Sequence, residues 1–283
     1  MQTVDATKCG GKRLKGILDG SSMDQPLVTV ITAIYNGQVH VEECLESVLR
    51  QDYPNTEHII LDGGSNDGTV DVLRRYEDQI AFWSSEPDKG VYDAWNKGLL
   101  KARGEWICFL GVDDQLLPGA VSAYMKLAAT NPQAEYLSSQ VRWIHPSGYE
   151  RIIGCPWAWP QFSRRMYVAH VGSMHRRDLY NRLGVYDTSY RSAADYELLL
   201  RARGQLKASH MRVTTAIMQA GGLSNSTVAL SEEKRAKIAA GGRNKALAEL
   251  EFRFAKAKFV LRPLRRALGR IAARYGLTSV LSS

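Results

Sequence analysis

Four short apolar runs, each closing on a polar turn and each followed by helical periodicity, constrain this chain more than any other feature. Val28–Ile34 ends in Tyr35-Asn36-Gly37, after which an amphipathic helix is expected from Glu42 to Gln51. His58–Leu61 ends in Asp62 and the turn-rich Gly63-Gly64-Ser65-Asn66-Asp67-Gly68, with a helix starting at Thr69. Ile80–Trp83 leads to Glu86-Pro87-Asp88-Lys89-Gly90 and a helix through Asn96. Trp106–Leu110, bounded by Gly104 and Gly111, runs into Asp113-Asp114 ahead of a helix near Pro118. Short apolar runs between turn residues read as buried strands, and strands alternating with helices imply a doubly wound, mostly parallel α/β sheet. Open sheets of that kind take their ligands at the strands' carboxyl ends. One crevice is therefore expected to collect Tyr35, Asp62, Asp88, Lys89, Asp113 and Asp114.

The adjacent acids carry the most chemistry. Two neighbouring carboxylates repel unless something positive lies between them, and a divalent cation carrying a diphosphate is the usual bridge. The plain alternative is a polar turn leading into the next helix. Four strand ends converging on acids and an aromatic favour a nucleotide diphosphate site over that turn.

These stretches also resemble a known family. Thr32-Ala33-Ile34-Tyr35-Asn36, Asp62–Thr69, Asp88–Gly98, Phe109–Asp114 and the later Ala193-Ala194-Asp195-Tyr196-Glu197 are similar, in order and spacing, to the inverting GT-A-fold glycosyltransferases of family 2. Those enzymes build bacterial surface polysaccharides and glycolipids. The resemblance spans roughly residues 26–226 and implies a GT-A, Rossmann-like fold. It implies a donor-binding set of Thr32, Tyr35, Asn36, Asp62, Asp88, Lys89 and Asp113, with Tyr35 packing on the donor's base and Asp62 hydrogen-bonding it. Asp67 reads instead as a cap for the helix at Thr69. Asp114 is assigned to a Mn²⁺ or Mg²⁺ ion, and Asp113 to the ribose or the metal. One departure stands out: the family's metal motif often begins with a further acid, and here that position is Gly111.

Direct displacement at an anomeric carbon needs a base for the acceptor hydroxyl and charge neutralisation on the leaving diphosphate. Asp195 matches the family's catalytic aspartate, although its place at a helix start also suits an N-cap. Glu197, deeper in that helix, is the weaker rival. Between the acids and the base, Trp157 and Trp159 are suited to stacking on an acceptor or to ordinary loop packing. His170 is expected at the acceptor or a phosphate, with a structural histidine as the alternative. Lys89 offsets diphosphate charge or simply lies exposed. Gly221-Gly222-Leu223-Ser224 resembles the family's mobile loop, where glycines permit closure over the donor.

Charge separates the chain into unlike parts. The net charge is +8, but Lys234–Arg274 holds 13 basic residues against Glu249 and Glu251, so the remaining residues carry a net −3. A near-neutral body argues against a nucleic-acid enzyme, whose groove would itself be positive. In the basic segment Leu264, Leu268, Ile271 and Tyr275 share a helical face flanked by Arg265, Arg266, Arg270 and Arg274. Pro263 is expected to separate this helix from one through Phe252 and Phe259. A basic amphipathic helix suits an anionic membrane surface, or packs its stripe on the catalytic domain. No run reaches the roughly 18 apolar residues of a membrane span. The expected organisation is a flexible lead at 1–25, a catalytic domain at 26–226 with a nucleotide-binding half at 26–115 and an acceptor half at 116–226, and a basic helical segment at 227–283.

The implied activity is transfer of a sugar from a nucleotide-sugar donor, a UDP-sugar foremost, to a lipid-linked or glycan acceptor. The place would be the cytoplasmic face of the inner membrane, held peripherally. Cys9, Cys44, Cys108 and Cys155 have no zinc spacing and read as reduced thiols, with Cys44 and Cys108 buried. A sugar-nucleotide pyrophosphorylase would need a Gly-rich phosphate loop after the first strand, and a dinucleotide oxidoreductase a GxGxxG there; Tyr35-Asn36-Gly37 supplies neither. A catalytically silent, membrane-bound scaffold keeping the same fold is the remaining alternative, supported only by Gly111.

Overall fold

A computed structural model describes residues 8–17, 25–221 and 226–274, with side chains as far as 261. The chain forms β1 (Cys9–Gly10), β2 (Val28–Ile34), α1 (Val41–Leu49), β3 (Thr56–Asp62), α2 (Thr69–Arg75), β4 (Phe82–Ser85), α3 (Val91–Lys101) and β5 (Trp106–Gly111). There follow β6 (Gln115–Leu116), α4 (Ala120–Thr130), β7 (Tyr136–Ile144), β8 (Glu150–Ile153), α5 (Trp159–Phe162), β9 (Ser173–Arg176) and α6 (Asp178–Leu183). The last elements are α7 (Ala194–Arg201), β10 (Ala208–Gln219), α8 (Thr227–Ala239) and α9 (Lys245–Arg274).

The doubly wound α/β sheet expected from the alternating runs is present. Strand order is β1-β4-β3-β2-β5-β9-β7-β10-β6, with β8 paired to β7. The run β4-β3-β2-β5 is parallel throughout. After β2 the chain winds outward through β3 and β4, then returns to place β5 on the other side of β2. The switch point therefore lies between β2 and β5, and their carboxyl ends carry Tyr35-Asn36-Gly37 and Gly111–Asp114.

Alternation along the strands sorts side chains between two layers, because successive residues point to opposite faces. Ile31, Ile107 and Phe109 join one buried cluster with Tyr92 and Ala94 of α3 and Leu198–Leu200 of α7. Val28, Val30, Cys108 and Leu110 join the opposite one with Cys44 and Val48 of α1 and Val121 and Tyr124 of α4. Coverage on both sides explains why the strands read as continuous apolar runs rather than alternating ones. Gly98 lets α3 press against the sheet: a Cβ there would stand 2.6 Å from Ile31 Cγ2.

Three sequence expectations change. Residues 8–17 of the expected flexible lead form an edge instead: Cys9 and Gly10 pair antiparallel with Ser84 and Trp83 of β4. Arg13 then reaches inward to an ion pair with Glu57, whose side chain is fully buried. The third strand sits at Phe82–Ser85 rather than Ile80–Trp83, since Ile80 and Ala81 accept backbone bonds from Lys12 and Arg13. Finally, α9 continues through Pro263 as one helix. A proline deletes one backbone donor and can kink a helix without ending it. The side chains of Leu264, Leu268, Ile271 and their flanking arginines, Tyr275, and the loop residues 222–225 lie outside the described residues.

Candidate active site

Between the ends of β2, β3 and α3 lies a cleft of about 670 Å³ lined by Ala33, Ile34, Tyr35, Gly63, Gly64, Pro87, Asp88, Gly90 and Val91. Tyr35 is 68% exposed, so its ring is available rather than spent in the core. Asp88 stands opposite: a Cβ on Gly63 would meet Asp88 Oδ2 at 2.7 Å and Tyr35 Cδ2 at 3.4 Å. Only a glycine leaves the loop wall low enough for both side chains to share that space. Asp88 Oδ1 also accepts from Gly90 N at 2.7 Å, setting the turn into α3. The Lys89 side chain is exposed and forms no ion pair among the described residues.

Several residues expected at the donor are tied into the scaffold. Thr32 faces the core, buried to 1% exposure, and its hydroxyl meets His58 Nε2 at 2.9 Å. Asn36 adopts φ 50°, a left-handed conformation that asparagine tolerates, and its Oδ1 accepts from Asn66 N. Asp62 is also buried, accepting from Gly64 N, Ser65 N, Ser65 Oγ and Ser85 Oγ. Three of these bonds fall on Oδ2 and one on Oδ1, so Oδ1 keeps an acceptor site for a further donor. Asp67 does not hold the N-cap position, which is Gly68, but from one residue earlier it accepts from Thr69 N at 3.1 Å and Thr69 Oγ1 at 2.6 Å.

The paired acids fold back toward the end of β5. A Cβ on Gly111 would stand 2.8 Å from Asp114 Oδ2 and 3.0 Å from Asp113 Oδ1, so both carboxylates occupy the space a side chain would fill. The departure at Gly111 thus has a steric reason. Burial, and then the charge on Asp113, push the Asp114 carboxyl up to about 7, opposed by the backbone N–H of Gln219 and Gly111. Two hard oxygen donors under mutual repulsion fit a divalent cation, provided a diphosphate supplies further oxygens. Among the described residues no third His, Cys, Asp or Glu joins them in a metal-binding group.

Asp195 lies within the first turn of α7 and does not cap it, since Ala193 holds the N-cap position. Oδ1 accepts instead from the Tyr92 hydroxyl at 3.0 Å. The rival Glu197 is engaged by Arg201 through Oε1 at 2.9 Å and also through Oε2. Tyr92 is in the first turn of α3, directly after Gly90 and Val91 of the cleft, so α3 links the donor wall to the base. No direct contact joins Asp195 to Asp113 or Asp114 among the described residues.

His170 is enclosed by aromatics beside Asp195. Its ring stacks on Trp95 at 4.8 Å and its Nε2 meets the Tyr186 hydroxyl at 3.1 Å. Burial lowers its pKa, with the Asp195 charge opposing. Trp157 packs on Phe162 at 4.1 Å, and both Trp157 and Trp159 are partly buried against the core cluster. Two partners had no legible signal. Tyr92 reads as a core position of an amphipathic helix, and Glu232 as a solvated charge. Yet Glu232 accepts from Arg191 N, Ser192 N and Ser192 Oγ, fixing the turn before α7.

Comparison with known proteins gives a consistent picture. The sequence model described as Glycosyl transferase family 2 matches residues 29–173. An uncharacterized glycosyltransferase of Mycobacterium tuberculosis is 34% identical over 188 residues, covering 62% of this chain and 69% of that protein. A PGL/p-HBAD biosynthesis glycosyltransferase of the same species is 29% identical over 220 residues, covering 73% and 82%. Among solved structures, S. aureus TarS 1-349 in complex with UDP aligns with TM-score 0.61 at 17% identity, over 86% of this chain and 74% of that one. Against a longer TarS chain the coverage is 43%. The mannosyltransferase PcManGT from Pyrobaculum calidifontis, in complex with GDP-Man and Mn²⁺, aligns with TM-score 0.62 at 20% identity, over 88% and 76%. At these identities the structural likeness speaks to the fold alone.

Proposed function

Because this chain belongs to glycosyl transferase family 2, we propose that it moves a sugar, with inversion, from a nucleotide-diphosphate donor to a lipid-linked or glycan acceptor. A UDP-sugar is the favoured donor, in keeping with the TarS complexes with UDP and UDP-GlcNAc. The PGL/p-HBAD name of a relative supports a place in envelope glycolipid or polysaccharide synthesis. The observation that carries this reading is the pair Asp113 and Asp114, folded into the space beside Gly111 at the sheet's switch point.

Tyr35 would pack on the base, with Asp88 across the cleft from it. Asp114 and Asp113 would hold Mn²⁺ or Mg²⁺, which supplies charge neutralisation to the leaving diphosphate. PcManGT is in complex with both GDP-Man and Mn²⁺, and this supports such an ion here. Asp195 would take the proton of the acceptor hydroxyl as its oxygen bonds to the anomeric carbon and the bond to the diphosphate breaks. A single displacement by a carboxylate base inverts the centre without a covalent intermediate. His170 lies close enough to Asp195 to feel its charge, which supports a place near the acceptor.

Membrane association belongs to the same reading. Among the described residues no helix is long and apolar enough to cross a membrane. Leu247, Leu250, Phe254 and Leu261 of α9 are exposed beside a run of lysines and arginines, which supports peripheral attachment to an anionic surface such as the inner face of the cytoplasmic membrane.

The test is a panel of UDP-, GDP- and dTDP-sugars assayed for hydrolysis and transfer with and without Mn²⁺. Turnover of at least one donor that requires the ion, and that Asp114→Ala and Asp195→Asn both lose, is the expected result. Full activity in both variants would sink the proposal.

A further inference from the structure

The first turn of α7 has an unusual support. Four N–H groups open every helix without intrahelical partners, and a side chain at the N-cap usually serves one of them. Here the N-cap is Ala193, which has nothing to offer. Tyr92 reaches the same turn from another part of the chain. Its hydroxyl donates to Asp195 Oδ1 at 3.0 Å. One phenol therefore holds the carboxylate that stands on the helix's first turn.

The ring is itself fixed. Tyr92 is 5% exposed, lies stacked against Tyr186 at 5.6 Å and meets the edge of Trp95 at 5.3 Å. Burial and the neighbouring Asp195 charge both push its pKa far up, so it remains a hydrogen-bond donor at any working pH. Asp195 Oδ2 has no hydrogen-bond partner among the described residues, so the oxygen left for an incoming hydroxyl is set by the one Tyr92 occupies.

We infer that Tyr92 is a positioning residue for Asp195, selecting which carboxylate oxygen acts as base and holding the first turn of α7 against the end of the donor cleft. The inference rests on the reading of Asp195 as the base. The family match ends at residue 173, so Asp195 itself lies beyond it while Tyr92 lies within it. The titratable groups facing Asp195 are Tyr92 of α3, Tyr136 of β7, His170, Tyr186 and Glu233 of α8. Among them Tyr92 is the one that hydrogen-bonds to its carboxylate.

Tyr92→Phe removes one oxygen and keeps the ring packing. A hydrogen bond to a charged group is worth enough that kcat should fall about 10- to 100-fold. The donor KM and the affinity for the nucleotide diphosphate alone should stay within about twofold, because the bond is not to the donor. Loss of a donor that favours the charged carboxylate should move the acid limb of the kcat profile upward. Glu232→Gln serves as the comparison, since it loosens the turn at Arg191 and Ser192 without touching Asp195. It should lower thermal stability and leave the acid limb in place. A Tyr92→Phe enzyme with parental kcat and pH profile overturns the inference, as does an equal pH shift in Glu232→Gln. In the first case an inactive Asp195→Asn leaves the reading of the base standing; full turnover by Asp195→Asn removes both together.

Discussion

The backbone N–H of Gln219 donates to Asp114 Oδ1 across 3.0 Å, tying the end of β10 to an acid 105 positions earlier. That bond holds one carboxylate oxygen in place while the other folds beside Gly111. Asp114 is thus fixed by tertiary structure before any cation arrives. Asp114→Ala is expected to abolish the Mn²⁺ dependence of nucleotide-diphosphate binding and to cut turnover by about 10²-fold or more. Calorimetric titration of UDP with and without Mn²⁺ checks this; an unchanged metal requirement would refute it.

Gly111 offers a sharper test, because restoring the acid common in the family should harm the enzyme. A side chain at that position meets Asp114 Oδ2 and Asp113 Oδ1 within 3.0 Å. Gly111→Ala and Gly111→Asp should both push the carboxylates aside and weaken Mn²⁺-dependent donor binding by about tenfold. Tighter metal binding by Gly111→Asp would show that the carboxylates are not arranged as described.

Tyr35, exposed at the end of β2, should contribute base stacking and little else. Tyr35→Ala is expected to raise the donor Kd by about 5- to 100-fold, the range for one aromatic–base stack. Its thermal stability should stay near the parental value. Competition of free UDP against a fluorescent donor analogue would read the change directly.

Acid sensitivity follows from buried neutral histidines. Burial lowers the His58 pKa from its ordinary 6.5 to about 3, and burial also lowers those of His170 and His175. A histidine with a depressed pKa contributes its full stability above the ordinary value and loses it as pH falls toward the folded value. Unfolding should therefore become easier below about pH 6.5 as the unfolded chain takes up protons. His58→Gln keeps a partner for Thr32 and should lessen that slope by about 1.4 kcal/mol per pH unit. Urea titrations between pH 4 and 8 would measure it.

Arg13 should matter far more than its place near the chain start implies. Glu57 accepts from Thr29 Oγ1 and Arg103 N and forms an ion pair with Arg13 in a fully buried position. Arg13→Met would leave that carboxylate without its counter-charge, at a cost of about 3 to 5 kcal/mol. Guanidinium unfolding should show the loss, and Glu57→Gln in the same background should recover part of it.

Local pattern was enough for the parallel core. Strands β2, β3 and β5 and the acids and aromatic at their ends could be read directly, because burial on both faces leaves an unmistakable apolar run and turn residues mark where it stops. The same logic could not show that the Thr32 hydroxyl, polar at a strand end, meets His58. It failed for residues 8–17 as well, since two-residue edge pairing leaves no periodicity to detect. What the sequence could name was the kind of chemistry: carboxylates at strand ends, an exposed aromatic, a later acid opening a helix. Only the folded chain decided which oxygen is engaged, through Tyr92 on Asp195, Gln219 on Asp114 and the missing Cβ of Gly111. The first two depend on contacts between residues just over a hundred positions apart, and the third on how two side chains fold back onto their own strand end; spacing along a chain carries no record of either.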